Sequence, residues 1–249
     1  MFENVIEFIA PEEYIKNNQD LLPCPIKLNI PDWYKEKSLQ HVNGHKTVKG
    51  CMPFLDAMTA GYLLKMPTDY YIEHNLEIDG KKATGVICAN RLRTKLSQNI
   101  NLNYETVGEY HETYQLGKSP ILEKNKNLPL HKILNPWTIK TPPGYSCLFT
   151  SPMNNKDDRF EIVPGIVDTD SFTSEINFPL VFNGDKYPSL KTTIKIGTPY
   201  VQVIPFKRDR WKMNIKKTNK KKKDEIEFFL VKYVIDNYKK KFWKKKSWK

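Results

Sequence analysis

The chain has 249 residues, of which 39% are hydrophobic and 12% aromatic, and this composition predicts a folded protein rather than a disordered one. The formal net charge is +12, but residues 212–249 alone carry 15 lysines against four acidic side chains, a net charge of +11. The preceding residues are therefore nearly neutral, which excludes a uniformly basic protein.

The opening residues, MFENVIEFIAPEEY, are acidic and contain Pro11, which is unlike a secretory signal peptide. No stretch approaches the ~18 apolar residues that a membrane helix needs. The four cysteines form no C-x-x-C pair, which favours reduced, mostly buried thiols. We therefore expect a cytoplasmic protein without a transmembrane segment.

The N-terminal part, residues 1–87, is predicted to contain short helices and strands. Pro31 to Tyr34 is typical of the first turn of a short helix, with Trp33 as its apolar anchor. The apolar residues from Phe54 to Met58 have helical spacing. Asn43-Gly44 between alternating arms predicts a hairpin.

The central part of the chain is predicted to be a β core preceded by an insertion. Residues 88–135 are polar and irregular, so we expect long loops with one helix near Tyr110–Gln115. From 136 to 206, apolar and polar residues alternate between Pro-Gly, Asn-Asn and Asn-Gly turns. This pattern predicts a mainly β protein with a single antiparallel sandwich or barrel, loop insertions and a β-rich domain covering residues 1–211.

Residues 212–249 are predicted to be a lysine-rich linker, a helix and a basic tail. The run from Lys216 to Lys223 is typical of a solvated linker. Three acidic residues from Asp224 to Glu227 favour a helix start, because acids stabilise the positive end of the helix dipole. We expect a helix of about 16 residues there, with an apolar face between Phe228 and Tyr238.

The turn GIVDTDSFTSEI (165–176) contains the candidate catalytic residues, Asp168 and Asp170. Both carboxylates are predicted to lie on one side of a turn between two strands, where they would orient a water molecule or hold a hydrated Mg²⁺ ion. The simpler interpretation is a D-x-D turn whose carboxylates accept hydrogen bonds from backbone amides.

The segment 142–206 resembles the β-clip core of trimeric dUTPases and dCTP deaminases. GIVDTD and IKIGTPYVQVIPF are similar in spacing to the third and fourth motifs of those families. PPGYSCLFTSPMN falls where they have the strand that leads into the phosphate-binding motif, and Ala60 to Leu64 is similar to a degraded first motif. The resemblance implies a β-clip-like core, Asp168 as the residue that activates water, and a homotrimer.

Departures from the family pattern affect the phosphate site most. Ser151-Pro152-Met153-Asn154 stands in place of the Arg-Ser-Gly phosphate loop, and Leu63 holds the first-motif aspartate position. The aromatic that would stack on the sugar falls at Ser171, with Phe172 one residue late. Without arginine and backbone amides on a triphosphate, hydrolysis would lack its charge stabilisation.

The whole chain also resembles a family of bacteriophage and bacterial proteins that implies no activity. The similar stretches are MPFLDAMTAGYLL, NPWTIKTPPGYSCLFTSPMN and the C-terminal Tyr-Lys-x3-Trp-Lys-Lys pattern that begins at Tyr238. This resemblance implies a phage-type protein, located in the cytoplasm of a host cell if a phage encodes it.

The basic tail is the second candidate site, because interleaved lysines and aromatic residues suit phosphate contacts and base stacking. An acidic membrane surface or protein partner would suit the same residues. A tail that only improves solubility, with its aromatic residues packed back on the domain, is the structural alternative. The candidate nucleic-acid-binding residues are Lys220, Lys221, Lys222, Lys223, Lys240, Lys241, Trp243, Lys244, Lys245, Lys246 and Trp248.

The sequence favours a non-enzymatic protein with a degenerate dUTPase-like core and a polyanion-binding tail, without a cofactor. The alternative is a nucleotide-binding or nucleotide-hydrolysing enzyme in which Asp168 is the base, Mg²⁺ is the cofactor, and Arg159, Lys207 and Arg208 bind phosphates. A third hypothesis is a metal- or cofactor-dependent enzyme that uses His41, His45 or His131.

Overall fold

The structure is a computed structural model and describes residues 4–75, 77–78, 81–82, 86–90, 110–124, 130–232 and 237–249. Much of the predicted insertion, including residues 91–109 and 125–129, lies outside the described residues. The same holds for residues 233–236 of the predicted apolar helix face.

Short antiparallel strands make up most of the regular structure. In chain order they are β1 (Glu7–Ile9), β2 (Cys24–Pro25), β3 (Tyr62–Lys65), β4 (Tyr70–Asn75), β5 (Glu77–Ile78), β6 (Lys81–Lys82), β7 (Val86–Asn90), β8 (Tyr110–His111), β9 (Leu130–Ile133), β10 (Thr138–Lys140), β11 (Tyr145–Thr150), β12 (Phe160–Ile162), β13 (Gly165–Val167), β14 (Phe178–Phe182), β15 (Ser189–Ile194) and β16 (Pro199–Lys207).

The helices are short, apart from one near the C-terminus. They are α1 (Glu12–Asn17), α2 (Asp32–Lys35), α3 (Met52–Thr59), α4 (Thr113–Leu116), α5 (Pro120–Lys124), α6 (Lys220–Lys232) and α7 (Asn237–Lys241), with 3₁₀ turns at Gln19–Leu21, Ile26–Asn29 and Val48–Gly50.

The chain divides into two compact units. Unit 1 consists of Met1–Cys24 and Gly61–Lys207, and unit 2 consists of Pro25–Ala60 and Arg208–Lys249. Unit 2 therefore combines an N-terminal segment with the basic C-terminal segment.

The five-stranded sheet of unit 1 has the order β13-β11-β16-β3-β2, with β16 at its centre. β11 pairs antiparallel with β13 on one side and with β16 on the other, and β16 in turn pairs antiparallel with β3. Two further sheets have the orders β12-β14-β9-β8 and β15-β4-β7. The prediction of a mainly β, antiparallel fold is confirmed, and no sheet closes into a barrel among the described residues.

The core of unit 1 follows from the alternation seen in the sequence. In β11, Cys147 and Phe149 are buried while Leu148 between them is only partly buried, as a strand with two unequal faces requires. Phe149 packs against Phe178 of β14, with ring centroids 5.4 Å apart. No helix lies within residues 142–206, all of which the structure describes.

The core of unit 2 is a small aromatic cluster. Tyr34 of α2 stacks on Phe54 of α3, with centroids 6.2 Å apart and planes 9° from parallel. Tyr34 is buried and Trp33 is 44% exposed, so the prediction that Trp33 anchors this helix is wrong. A four-residue helix has no repeat from which its buried face can be read, and the packing partner Phe54 decides it.

Candidate polyanion interface

The two units differ strongly in charge. Unit 2 has 22 Lys and Arg residues against eight Asp and Glu residues, a net charge of +14, and unit 1 has 18 against 20, a net charge of −2. Residues 25–60 add a net charge of +2 to that of the basic C-terminal segment. The cationic character of the chain thus belongs to one compact unit.

Four of the predicted lysines form the first turn of α6. Asn219 caps this helix: its Oδ1 atom accepts a hydrogen bond from the Lys222 amide at 3.2 Å, and its carbonyl accepts one from the Lys223 amide at 3.0 Å. The predicted start at Asp224 is therefore wrong by one turn. Asn219 is the signal that could have placed the helix start correctly.

The lysines from Lys220 to Lys223 are all exposed. They lie within about 4.5 Å of helix rise, at the end of the helix where the dipole is already positive. Repulsion between the lysines and their unfavourable interaction with the helix dipole both disfavour this turn. An anion that binds beside the turn reduces both. Lys223 also lies 3.4 Å from Glu227 one turn later, an exposed pair of small energetic value.

The remaining predicted lysines lie at the C-terminus. Lys240 and Lys241 are exposed in α7, and the exposed Lys244 and Lys245 follow it. Lys246 is different, because its ammonium group forms an ion pair with Asp56 of α3.

Trp243 is held within unit 2 rather than presented to solvent. Its indole N–H lies 2.9 Å from Oδ2 and 3.1 Å from Oδ1 of Asp56, and the Lys246 ammonium lies 5.6 Å from the centre of its ring. Trp248 is half-buried. Trp243 therefore fits the alternative interpretation of the tail, in which its aromatic residues pack back on the protein.

The sequence analysis missed the most exposed tryptophan of the chain. Trp211 lies between β16 and α6, in a stretch without helix or strand, and is 90% exposed. Every residue from 207 to 225 is exposed. In the sequence, the cationic neighbours of Trp211, Arg210 and Lys212, are the pattern that could have indicated this aromatic residue as part of the basic site.

Asp168 and Asp170 lie in the turn that follows β13. The buried hydroxyl of Ser146 donates a hydrogen bond to Asp168 Oδ1 at 2.6 Å, and the amide of Gly144 donates one to Asp170 Oδ2 at 2.8 Å. Asp168 is exposed, Asp170 is half-buried and Thr169 between them is fully buried. Both carboxylates thus tie this turn to β11 and to the turn that precedes it.

Two backbone amides of the loop after β11 donate to protein acceptors. The Met153 amide donates to Oε1 of the fully buried Gln202 at 2.8 Å, and the Asn155 amide donates to the Pro152 carbonyl at 3.2 Å. Pro152 has no amide hydrogen. A phosphate cradle needs several convergent amides, and these are committed elsewhere.

The three candidate phosphate ligands lie in different settings. The guanidinium of Arg159 donates to both carboxylate oxygens of Asp157, at 2.7 and 3.0 Å, and to the Thr192 hydroxyl at 2.9 Å. Lys207 and Arg208 are exposed at and just beyond the end of β16. Arg159 thus serves the fold of unit 1.

The candidate metal-binding histidines lie in different units of the chain. His41 and His45 are exposed in the hairpin of unit 2, where the Nδ1 atom of His41 lies 2.9 Å from Asn43 Oδ1. His131 is buried in β9 of unit 1, and burial lowers its pKa to about 4. Within the described part of the chain, no three His, Cys, Asp or Glu residues are grouped as metal ligands.

No family model, curated protein or solved structure compared with this chain matches it. Among the residues that the structure describes, no helix is both long enough and apolar enough to span a membrane.

Proposed function

We propose that this chain is a non-enzymatic protein that binds nucleic acid or a similar polyanion through unit 2. The observation that carries the proposal is the concentration of charge: a net +14 lies in unit 2, against −2 in unit 1. A chain with one compact, strongly basic unit and one nearly neutral unit is typical of a protein whose ligand is a polyanion.

Counterion release supplies the affinity in this proposal. Each phosphate that a lysine neutralises releases condensed cations, so log K falls with log[salt] by about 0.7 per contact for a single strand. The exposed lysines of α6 and α7, with Lys244 and Lys245, are the contacts that we propose.

The first turn of α6 supports the same proposal. Four lysines at the positive end of a helix repel one another and the helix dipole, each by about 0.3–1 kcal/mol near the surface. A phosphate chain beside Lys220–Lys223 converts this repulsion into attraction. Binding of the polyanion therefore relieves the unfavourable electrostatic energy of the unbound helix.

In this proposal, unit 1 is a scaffold derived from a β-clip core like that of dUTPases, in a phage-type protein. The antiparallel pairing of β11 with β13 and β16 supports the resemblance, because it brings the GIVDTD strand and the IKIGTPYVQVIPF strand against PPGYSCLFTSPMN. The occupied loop amides and the Asp157-bound Arg159 favour a scaffold over a nucleotide hydrolase with Asp168 and Mg²⁺.

The test compares two variants with the same change of charge. One replaces the α6 lysines, K220Q, K221Q, K222Q and K223Q together. The control replaces four exposed lysines of unit 1, K16Q, K118Q, K140Q and K195Q. Glutamine is as good a helix former as lysine, so α6 is expected to persist.

Binding to labelled oligothymidine is measured by fluorescence anisotropy at about 50 and about 200 mM salt. We expect the α6 variant to bind more weakly and its salt slope to fall by up to ~2.8, about 0.7 for each lost contact. We expect the control variant to keep most of the wild-type slope. Equal affinities and slopes for wild-type protein and the α6 variant would refute the proposal.

A further inference from the structure

The segment Arg208–Asn219 exposes three large apolar side chains. Trp211 is 90% exposed, Met213 85% and Ile215 86%. Isolated exposed apolar residues are ordinary, but three at alternate positions in one segment are an exposed apolar stripe, which marks an interaction site.

The cations of this segment alternate with its apolar residues. Arg208, Arg210 and Lys212 stand at even positions, with Trp211 between the second and third. In an extended chain, alternate side chains point to opposite sides and are about 6.6 Å apart. In an extended conformation, the pattern therefore places the cations along one edge of the segment and the apolar side chains along the other.

Trp211 is the tryptophan of unit 2 that is available for stacking. The indole N–H of Trp243 is bonded to Asp56, and Trp248 is half-buried. Trp33 packs edge-on against Tyr34 and Phe54. Trp211 is nine-tenths exposed, so its ring is accessible to an unpaired base.

We propose that residues 210–215 bind single-stranded nucleic acid, with Trp211 stacked on an unpaired base and Arg210 and Lys212 on the adjacent phosphates. This inference rests on the proposed function, since it names the ligand class and the aromatic contact of the same basic unit. The thioether of Met213 adds a sulfur–aromatic contact to a neighbouring base.

Single strands fit this segment better than duplexes. The bases of a duplex are stacked on one another, so a tryptophan outside the grooves gains nothing from them. Unpaired bases present their faces, and stacking on an aromatic side chain is tolerant of sequence. Nine cations against one acid between Arg208 and Lys223 favour a ligand with one phosphate beside every base over a protein surface.

The experiment uses the full chain with Trp211→Ala and Trp211→Phe, and with Tyr114→Ala as the matched control. Tyr114 is a 79% exposed aromatic residue of unit 1, so its replacement tests for a general effect of losing surface aromatics. The probes are labelled oligothymidine, a DNA duplex of the same length and inorganic polyphosphate, which carries phosphates without bases.

Trp211→Ala is expected to weaken oligothymidine binding about five- to 150-fold, the loss that stacking on one base predicts. Binding of polyphosphate and duplex is expected to change less than about twofold, because phosphate contacts are kept. Trp211→Phe is expected to keep most of the oligothymidine affinity and to lose ligand-induced quenching of tryptophan emission. Tyr114→Ala is expected to behave as the wild-type protein.

Unchanged oligothymidine affinity in Trp211→Ala would overturn this inference. That result is also the one expected if the apolar stripe binds a protein partner instead. Wild-type protein that binds duplex and single strand equally would overturn it as well. Both results leave the proposed function intact as long as the α6 lysine variant loses affinity. A different result would refute the proposed function itself. In that case, replacing the α6 lysines would change neither polyphosphate binding nor oligothymidine binding.

Discussion

Replacing Gly61 with alanine tests how closely β3 and β16 approach in unit 1. Gly61 precedes β3 and has a φ angle of +72°, and a Cβ atom there would lie 2.0 Å from the carbonyl oxygen of Val203. Real Cβ atoms do not come closer than 3.0 Å to such a neighbour, so the backbone must move by about 1 Å.

The cost has two parts. The left-handed conformation costs an alanine roughly 1–2 kcal/mol. Val203 pairs with Phe149 on one side and with Tyr62 on the other, so moving its carbonyl strains both ladders, at about 1 kcal/mol for each weakened hydrogen bond. We expect Gly61→Ala to lower the free energy of unfolding by about 3–4 kcal/mol.

Gly197→Ala is the matched control. Gly197 also has a positive φ, +82°, but its Cβ would meet only Leu21 Cδ2, at an ordinary 3.8 Å. Its replacement therefore carries the conformational cost of roughly 1–2 kcal/mol alone. Urea unfolding of both variants, followed by circular dichroism, measures the difference. Free energies of unfolding that agree within about 0.5 kcal/mol would refute the close approach as the reason for this glycine.

Three further predictions concern single side chains. His131 is buried and its pKa is lowered from 6.5 to about 4, so between these values the unfolded chain binds a proton that the folded chain does not. Stability should therefore fall as the pH falls from 6.5 to 4, by about 3 kcal/mol from this group, and urea titrations of His131→Gln should lack that share. Asp56→Ala should leave the half-buried Trp243 indole N–H without its acceptor, lower the stability of unit 2 by about 1–2 kcal/mol, and shift the tryptophan emission to longer wavelength; unchanged emission would contradict the contact. The wild-type protein should release negligible pyrophosphate from dUTP or dCTP in the presence of Mg²⁺, and robust release abolished by Asp168→Asn would instead establish the hydrolase.

Composition and alternation were sufficient to predict the fold class and the location of the charge. Some strands between residues 136 and 206, such as β12, bury every second residue because they pack on one side, whereas β14 and β16 bury runs of consecutive residues. The lysine-rich segment is evident from counting alone. The strands and the basic segment depend on residues that are close together in the sequence, so the sequence alone predicts them.

Local signals were present in two places where the prediction was wrong. Asn219 begins α6 one turn before the acids at Asp224, because its side chain accepts an amide hydrogen bond from Lys222. The buried residue of α2 is Tyr34 rather than Trp33, because Phe54 stacks on it from α3. The start of α6 is encoded locally by its capping residue Asn219, whereas the buried residue of α2 depends on its packing partner Phe54.

Tertiary structure alone decided the roles of the tryptophans and of Gly61. Trp243 and Asp56 are 187 residues apart in sequence, and their hydrogen bond exists because unit 2 joins the two distant segments. Trp211 carries similar basic neighbours and is 90% exposed. Likewise, Gly61 must be glycine because the Val203 carbonyl lies against it. Contacts of this kind depend on the path of the whole chain, which no local period of the sequence encodes.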